Sequence, residues 1–398
     1  MNLVIENSRL VGDIQAIPSK SYAHRIAICN FIAGNQPIAG CGAFTSQDIT
    51  ATERCLKDIK NGVRILDCGE SGSTLRFMLP LCGALGGEYE FIGHGKLIER
   101  PNDELFQVMR EHGVSVQADK TIKISGKLTG GEYKLRGDIS SQYVSGLLMA
   151  LPTLKEDSEI VLLTPLSSAP YVKITLEVLE NFGVNVFESE KGYKIKGNGK
   201  FFGQVLPQGD WSNMAFFLVA GAINGEVSVK GLNLSSAQGD KKIIEILDKA
   251  GAQISANNEC VKVAKSQLKS FSYDAEDCPD LVPITAVLAS YANGDSIIKR
   301  VSRLKIKESD RITSTISMLA GFGIDAEFDG ENLIVHGGKP VGGKVDSFND
   351  HRIAMSTAVL ALGASGNSTL IGAESVNKSY PTFFEDYQKL GGKISAKV

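Results

Sequence analysis

The chain has 398 residues, of which 43% are hydrophobic and 22% charged, and its formal net charge is −3 at pH 7. This length favours about two domains of ordinary globular composition. The small negative charge argues against nonspecific nucleic-acid binding, which needs a basic excess, but leaves a small anionic substrate open because local charge clusters decide that.

Neither the cysteines nor the histidines predict a disulfide framework or a metal site. The cysteines are scattered without any Cys-x-x-Cys pair, as in free thiols of a reducing compartment, and the histidines lack metal-ligand spacing. The first ten residues have no apolar signal-peptide core, and no apolar run approaches the roughly 18 residues of a membrane span. We therefore expect a cytoplasmic protein. The seven cysteines are Cys29, Cys41, Cys55, Cys68, Cys82, Cys260 and Cys278.

Six segments along the chain share one design: a short polar cluster, an apolar helix-like run, and a turn rich in Gly, Asn and Asp. The last four begin at intervals of 70 residues. In chain order the six begin near Ser19, Glu70, Ser140, Asp210, Asp280 and Asp350.

A second set of six segments alternates with the first, and each reads as an amphipathic helix, a glycine and an alternating strand. The glycine is predicted to cap the helix end, where a positive φ costs little. Five of these glycines are Gly113, Gly183, Gly251, Gly323 and Gly391. The repeating unit is thus predicted as helix, strand, helix, strand, with a shorter first copy.

A fixed period of this kind indicates an array or an internally symmetric fold. Chance recurrence of common helix signals is the alternative, but six matched pairs argue against it. Six units could form an open solenoid or two domains of three units each, and chain length favours the two domains.

Cationic side chains gather at the starts of these helices, where they oppose the helix dipole unless an anion lies between them. Each cluster alone could be a cap, a tight turn or a solvated charge run. Their common place in the repeat favours binding of an anionic substrate. No catalytic role is expected for His24, His94, His112 and His336.

Seven short motifs follow one another in a fixed order. They are Pro-Ser-Lys-Ser-x3-Arg (18–25), Gly-x2-Gly-Ser-x2-Arg (69–76), Glu-Arg-Pro (99–101), Ser-Ser-Gln (140–142), Lys-Glu-Ser-Asp-Arg (307–311), Asn-Asp-His-Arg-x-Ala-Met (349–355) and Lys-x2-Pro (378–381). Together they resemble the enolpyruvyl transferase superfamily and, within it, the EPSP synthase family, over the whole chain.

The resemblance implies a two-domain inside-out α/β barrel, with six repeated helix-strand units, three per domain, helices buried and sheets outside. Residues 18–208 would form the first domain, and residues 1–17 and 209–398 the second, with two crossover strands as the hinge. The active site would lie in the cleft between them. A monomer without metal or organic cofactor is implied.

The resemblance also implies the reaction and its residues. The enolpyruvyl group of phosphoenolpyruvate would pass to the 5-hydroxyl of shikimate 3-phosphate, with release of phosphate. The implied shikimate 3-phosphate ligands are Lys20, Ser21, Arg25, Ser140, Ser141, Gln142, Ser168, Asp280 and Lys307. The implied phosphoenolpyruvate ligands are Lys20, Gly72, Arg100, Gln142, Arg311, Arg352 and Lys378.

The implied catalytic residues are Asp280, Glu308 and Lys20. Asp280 resembles the base that takes the hydroxyl proton, and Glu308 resembles the acid that protonates the methylene carbon. Two carboxylates in different local fields can divide these tasks. Replacing either is expected to leave the fold intact, since helix starts carry little core packing.

Three positions depart from the family pattern. Glu70 stands where asparagine is more familiar, Ser73 where threonine is, and Arg303 where an asparagine often contacts substrate. The contacts of those residues are therefore not carried over.

Three alternatives share features with the chain. UDP-N-acetylglucosamine enolpyruvyl transferase has the same fold and donor, but its start differs and it often uses a loop cysteine. RNA 3′-phosphate cyclase has related repeats but needs a catalytic histidine and ATP. A non-catalytic repeat scaffold would explain the periodicity but not the cations at helix starts.

Overall fold

The structure, a computed structural model, describes residues 1–35 and 46–396. Of the predicted free thiols, Cys41 lies outside the described residues. None of the helices in the described ranges has the length and apolar character needed to cross a bilayer.

A helix begins within two residues of each of the six predicted starts, so those predictions are confirmed. The described residues form twelve α-helices: α1 Lys20–Ile32, α2 Gln47–Lys60, α3 Gly72–Leu85, α4 Asp103–Glu111, α5 Ser141–Ala150, α6 Ala169–Asn181, α7 Trp211–Asn224, α8 Ile243–Lys249, α9 Val282–Ser290, α10 Arg311–Ala320, α11 His351–Ala361 and α12 Phe383–Lys389.

Between the helices run twenty strands, again counted over the described residues. They are β1 Asn2–Glu6, β2 Leu10–Gln15, β3 Ile65–Asp67, β4 Gly87–Ile92, β5 Val114–Ala118, β6 Ile122–Gly126, β7 Gly131–Leu135, β8 Ser158–Leu162, β9 Val186–Ser189, β10 Gly192–Ile195, β11 Gly225–Lys230, β12 Gln253–Ala256, β13 Cys260–Ala264, β14 Ser272–Asp274, β15 Asp295–Lys299, β16 Ala326–Phe328, β17 Leu333–His336, β18 Lys344–Asp346, β19 Ser368–Ile371 and β20 Lys393–Ala396.

These strands form five four-stranded sheets within the described ranges, and all five share one pairing pattern. The first two strands of each sheet are parallel and the remaining pairs are antiparallel. The orders are β3-β4-β6-β5, β7-β8-β10-β9, β2-β11-β13-β12, β14-β15-β17-β16 and β18-β19-β1-β20.

The predicted unit of helix, strand, helix, strand is wrong in its strand count. After α4, α8 and α10 the chain forms three successive strands where the prediction had one. The additional strands are short; β14, for example, has three residues. A pattern of alternating hydrophobicity cannot be recognised over so few residues.

The helices of the first set are buried on nearly every side. All eleven residues of α11 are buried, and so is every residue of α7 from Trp211 to Ile223 except Ser212. A helix that is apolar all round is stable only inside a protein. Strands such as β15 alternate between buried and exposed residues, so that one face of the strand packs on the core.

The five predicted cap glycines have φ values between 72° and 104°, which confirms their role at helix ends. At Gly113, which follows α4 after His112, φ is 91°. This left-handed conformation is costly for any residue with a Cβ.

The chain divides into two compact units, each described here by itself. Unit 1 comprises Met1–Ser19 and Gln208–Val398, and unit 2 comprises Lys20–Pro207. These boundaries lie within two residues of the predicted ones. An antiparallel bridge between Pro18 and Gly209 joins the two segments of unit 1 where the chain leaves and re-enters it.

Close packing of α3 against α5 in unit 2 depends on one glycine. A Cβ added at Gly146 of α5 would lie 2.5 Å from the carbonyl oxygen of Arg76 on α3. That carbonyl lacks its usual helical partner because Pro80, four residues on, has no N–H. The approach brings the first turns of the two helices within side-chain reach of each other.

Candidate functional site

A buried guanidinium holds three carboxylates in unit 1. Arg311 donates from Nη1 to Asp280 Oδ1 at 2.7 Å, from Nη2 to Glu308 Oε2 at 2.7 Å, and from Nε to Asp350 Oδ2 at 2.8 Å. Only 2% of the Arg311 side chain and none of the Asp350 side chain is exposed. A second guanidinium, that of Arg352, donates to Asp280 Oδ2 at 3.0 Å. We call these five residues the Arg311 cluster.

Helix caps bring the members of the Arg311 cluster together. Asp310 caps α10 by accepting from the backbone N–H groups of Ile312 and Thr313, which places Arg311 at the first helical position. Asp350 caps α11 by accepting from the N–H of Arg352. The short 3₁₀ turn Pro279–Leu281 sets Asp280 at the entry to α9. Three helix starts thus meet at one point.

The expectation that these helix starts carry little core packing is wrong for this cluster. Asp280 and Glu308 are both partners of a guanidinium that is almost fully buried. Removing either carboxylate would leave buried donors of Arg311 without an acceptor, and that costs free energy of folding.

Opposing effects set the charge of Asp280. Burial by itself raises the pKa of Asp280, but the positive charges of Arg352, Arg311 and Lys307 lower it by a larger amount. The pKa of Asp280 therefore lies well below the ordinary aspartate value. Lys307 shows the reverse balance. Burial lowers its pKa to about 8, and the nearby Asp280 only partly offsets this. Asp280 is therefore ionised and Lys307 titrates just above neutrality.

Lys378 belongs to the same end of unit 1. Its Nζ donates to the carbonyl oxygen of Asn349 at 2.7 Å. Phe348 and Asn349 both adopt left-handed backbone angles, with φ of 52° and 55°. Such angles in residues other than glycine are uncommon and tend to cluster at functional sites.

In unit 2, Arg76 on α3 contacts the predicted ligand Gln142. It donates to Gln142 Oε1 at 2.7 Å and to Asn102 Oδ1 at 3.0 Å. Because arginine only donates, the oxygen of Gln142 must face it. The amide nitrogen of Gln142 then donates to Ser73 Oγ at 2.9 Å.

Arg100 lies directly against the start of α3. A Cβ added at Gly72 would be 2.5 Å from Arg100 Nη1, so a larger residue at this position would displace the Arg100 guanidinium. Arg100 Nε is buried and has no hydrogen-bond partner within the described part of the chain. A buried guanidinium N–H in this state is suited to an anionic ligand.

The remaining predicted ligands of unit 2 have internal contacts. Lys20 Nζ lies 2.8 Å from Asp48 Oδ2. The guanidinium of Arg25 is buried and donates to Thr175 Oγ1, to Ser145 Oγ and to the carbonyl of Tyr171.

Four serines complete that set. Ser140 caps α5 and Ser141 is its first residue, whereas Ser21 lies inside α1 and not at its cap. Ser168 precedes α6 with a left-handed φ of 56°.

The structure therefore gathers part of the predicted site in each unit. In unit 1 it joins Asp280, Glu308, Arg311 and Arg352 directly. In unit 2 it joins Gly72 to Arg100, and Gln142 to the start of α3. Sequence reasoning assigned no role to Asp48, Asp350 or Arg76 beyond a cap or a helix start.

Among the described residues, no group of three or more His, Cys, Asp or Glu side chains could hold a metal ion. The six cysteines in the described ranges are free thiols. Burial raises the pKa of Cys29 and of Cys278 well above the ordinary thiol value, which keeps both protonated.

Carboxylates and guanidinium groups paired at helix starts of an α/β fold suit an enzyme that binds small anions and moves protons. The sequence profile of the family described as EPSP synthase (3-phosphoshikimate 1-carboxyvinyltransferase) matches residues 4–387. The chain belongs to this family, so the predicted resemblance and the predicted transferase class are confirmed.

Relatives and solved structures agree with this assignment. The chain is 38% identical to the 3-phosphoshikimate 1-carboxyvinyltransferase of Clostridium kluyveri, over 98% of this chain and 97% of that protein. It is 37% identical to the Clostridium perfringens protein of the same name, over 99% of each. The EPSP synthase structure from Acinetobacter baumannii superimposes with a TM-score of 0.80 at 25% identity, covering 99% of this chain and all of that one. The α/β fold is confirmed.

Proposed function

We propose that the protein transfers the enolpyruvyl group of phosphoenolpyruvate to the 5-hydroxyl of shikimate 3-phosphate and releases phosphate. This step belongs to the shikimate pathway, which leads to chorismate and the aromatic amino acids. The observation that carries the proposal is the family match over residues 4–387. The contacts of Arg311 with Asp280 and Glu308 support it, because the two proposed proton-transfer groups share one cation.

The proposed ligand sets draw on both units. Shikimate 3-phosphate is held by Lys20, Ser21, Arg25, Ser140, Ser141, Gln142, Ser168, Asp280 and Lys307. Phosphoenolpyruvate is held by Lys20, Gly72, Arg100, Gln142, Arg311, Arg352 and Lys378. The Nε of Arg100 beside Gly72 has no hydrogen-bond partner among the described residues, which supports the second set. Lys20 is counted among the catalytic residues as well.

The basicity of Asp280 would depend on whether phosphoenolpyruvate, the donor substrate, is bound. A carboxylate whose pKa is held well below the ordinary value is a weak base. Arg311 and Arg352 belong to the proposed phosphoenolpyruvate ligands. When an anionic donor occupies these guanidinium groups, their stabilisation of the Asp280 carboxylate weakens and its pKa rises.

The same event acts on Glu308. Its Oε2 accepts from Arg311 Nη2 at 2.7 Å. An anion on Arg311 weakens this stabilisation of the carboxylate and favours the protonated form that an acid toward the methylene carbon must have. Donor binding thus prepares the base and the acid together.

We further propose that the two units are two domains of an inside-out barrel, with three repeated helix-strand units each. The shared pairing pattern of the five sheets and the burial of the first-set helices support this arrangement. A monomeric state and a cytoplasmic location stay predictions.

The acceptor tests the proposal directly. We expect phosphate release from phosphoenolpyruvate with shikimate 3-phosphate as acceptor and none with UDP-N-acetylglucosamine, because Ser140, Ser141 and Gln142 match the shikimate-type pattern. A coupled phosphate assay with each acceptor at equal concentration measures this. Equal or faster turnover with the nucleotide sugar would overturn the assignment.

The lowered pKa of Lys307 predicts that the affinity for shikimate 3-phosphate falls at alkaline pH. Its pKa is lowered to about 8, so the lysine is cationic below this pH and neutral above it. The KM for shikimate 3-phosphate should rise about tenfold between pH 7 and pH 9, since about a tenth of the lysine stays charged one unit above its pKa. In Lys307→Arg the charge persists and the KM should stay flat. Parallel KM profiles for the two proteins would exclude Lys307 as the titrating ligand.

A further inference from the structure

A chain of hydrogen bonds joins α1, α2 and α3 in unit 2, away from the ion pairs described above. His24, Thr52 and Thr74 are all buried, with at most 1% of each exposed. His24 Nδ1 lies 2.8 Å from Thr52 Oγ1, and Thr52 Oγ1 lies 2.7 Å from Thr74 Oγ1. Thr74 Oγ1 continues to Ser71 Oγ at 2.8 Å and to the carbonyl oxygen of Asp48 at 3.2 Å.

Counting protons along this chain assigns the histidine tautomer. Each threonine hydroxyl has one proton to donate. If Thr74 donates to Asp48 or to Ser71, its short contact with Thr52 requires Thr52 to be the donor. Thr52 then has no proton left for His24, so His24 must carry a proton on Nδ1 and donate it to Thr52.

The opposite direction of proton donation, from Thr74 through Thr52 to His24, is unfavourable at both Thr74 and His24. If Thr74 donated to Thr52, its oxygen would face the Asp48 carbonyl without a proton between them. Thr52 would then donate to His24 Nδ1, and the ring proton would sit on Nε2. That nitrogen is buried with no hydrogen-bond partner in the described ranges. A buried N–H without an acceptor costs more than a bare lone pair.

His24 does not carry both protons. Burial lowers its pKa well below the ordinary histidine value, and the positive charges of Lys20 and Arg25 lower it further. The ring is therefore neutral at physiological pH, and the order of protons from His24 through Thr52 to Thr74 is fixed.

The hydrogen-bond chain ends at Asp48 and Ser71, and both residues are next to proposed ligands. Asp48 accepts from Thr74 through its carbonyl and pairs through its carboxylate with Lys20 at 2.8 Å. Ser71 caps α3 by accepting from the N–H of Thr74, and Gly72 follows it directly. These hydrogen bonds therefore fix the first turn of α2 and the cap of α3 relative to α1.

We propose that His24, as the neutral Nδ1–H tautomer, is a positioning residue that fixes Lys20 and Gly72 for the donor substrate. This role rests on the proposed function, in which both residues bind phosphoenolpyruvate. His24 has no contact with substrate in this role, in agreement with the expectation that it is not catalytic.

Kinetics of four variants test the positioning role. His24→Leu and Thr52→Val break the chain and should raise the KM for phosphoenolpyruvate about tenfold, the scale of one lost buried hydrogen bond, with kcat within about twofold. Thr52→Ser keeps the hydroxyl, and His24→Asn keeps an N–H donor close to the Nδ1 position, so both should recover most of the affinity. Equal losses in His24→Asn and His24→Leu, a fall in kcat with unchanged KM, or no change in either variant would overturn the proposal.

The tautomer is tested without substrate or turnover. In ¹⁵N-histidine-labelled full-length protein, the His24 ring signals, assigned by their loss in His24→Asn, should show a protonated Nδ1 and an unprotonated Nε2 between pH 6 and 8. A protonated Nε2 would overturn the proposal even if the protein catalyses the proposed reaction. The predicted tautomer together with failure of the acceptor assay would instead place the error in the proposed function.

Discussion

Replacing Asp280 with Asn is expected to lower kcat by roughly 10²-fold or more, and Glu308→Gln by a similar factor, the usual scale of general acid–base catalysis. Asp280 would lose the ability to accept the proton of the 5-hydroxyl, and Glu308 the ability to deliver one to carbon. Amides are the more conservative substitutions because their oxygens can still accept from Arg311, which contacts both side chains at 2.7 Å. In Asp280→Asn the side-chain contact with Arg352 is lost, since the amide nitrogen cannot accept. Alanine would mix a loss of catalysis with a loss of stability.

The measurement is steady-state kcat with shikimate 3-phosphate and phosphoenolpyruvate both saturating. Asp274→Asn is a matched control, because Asp274 also pairs with an arginine of unit 1, Arg300, but is 39% exposed and lies outside the proposed ligand set. It should keep kcat within about twofold. A near-normal kcat in either test variant would remove that residue from the mechanism.

Local signals explain which parts of the fold were predicted. Helix starts were found because polar caps precede apolar runs, and helix ends because glycines such as Gly113 take a left-handed φ of 91°. The additional short strands were missed because three to five residues carry too little periodicity. Their pairing is a property of the sheet and not of the strand alone.

Tertiary contacts explain what could not be predicted about the site. Lys20 pairs with Asp48, 28 positions along the chain, and Arg76 donates to Gln142, 66 positions away. No spacing rule of a single helix or strand relates residues so far apart. The family motifs identify Arg311 as a ligand, but its contact with the fully buried Asp350 appears only in the folded chain.

The three residues that depart from the family pattern each have contacts of their own in the structure. Ser73 retains the hydroxyl that a threonine would offer, and this hydroxyl accepts from Gln142 at 2.9 Å. Arg303 is paired with Glu276 at 3.0 Å, so its charge is partly balanced within unit 1. For Glu70, the nearest consequence is steric: a Cβ at Gly95 would lie 2.9 Å from its carboxylate.

Arg311→Met is expected to lower the free energy of unfolding by about 3–5 kcal/mol, the usual cost of removing one partner of a buried ion pair. This is the largest stability effect expected among the substitutions considered. Methionine fills a similar volume but donates no hydrogen bond, so the Asp350 carboxylate would remain buried without its cation. Arg311→Lys should recover only part of the loss, since one ammonium cannot reproduce the planar fork that reaches three carboxylates.

Urea unfolding followed by tryptophan fluorescence measures this loss in the appropriate unit. Trp211 is the only tryptophan in the sequence, and it is fully buried in α7 of unit 1. Arg300→Met is the control: it removes an arginine whose pair with Asp274 is exposed, 49% and 39%, and should cost less than about 1 kcal/mol. Adding Asp350→Asn to Arg311→Met should restore part of the stability, because the uncompensated charge is then removed. If Arg311→Met unfolds at the urea concentration of the control, or the second substitution lowers stability further, the buried carboxylate is not the source of the loss.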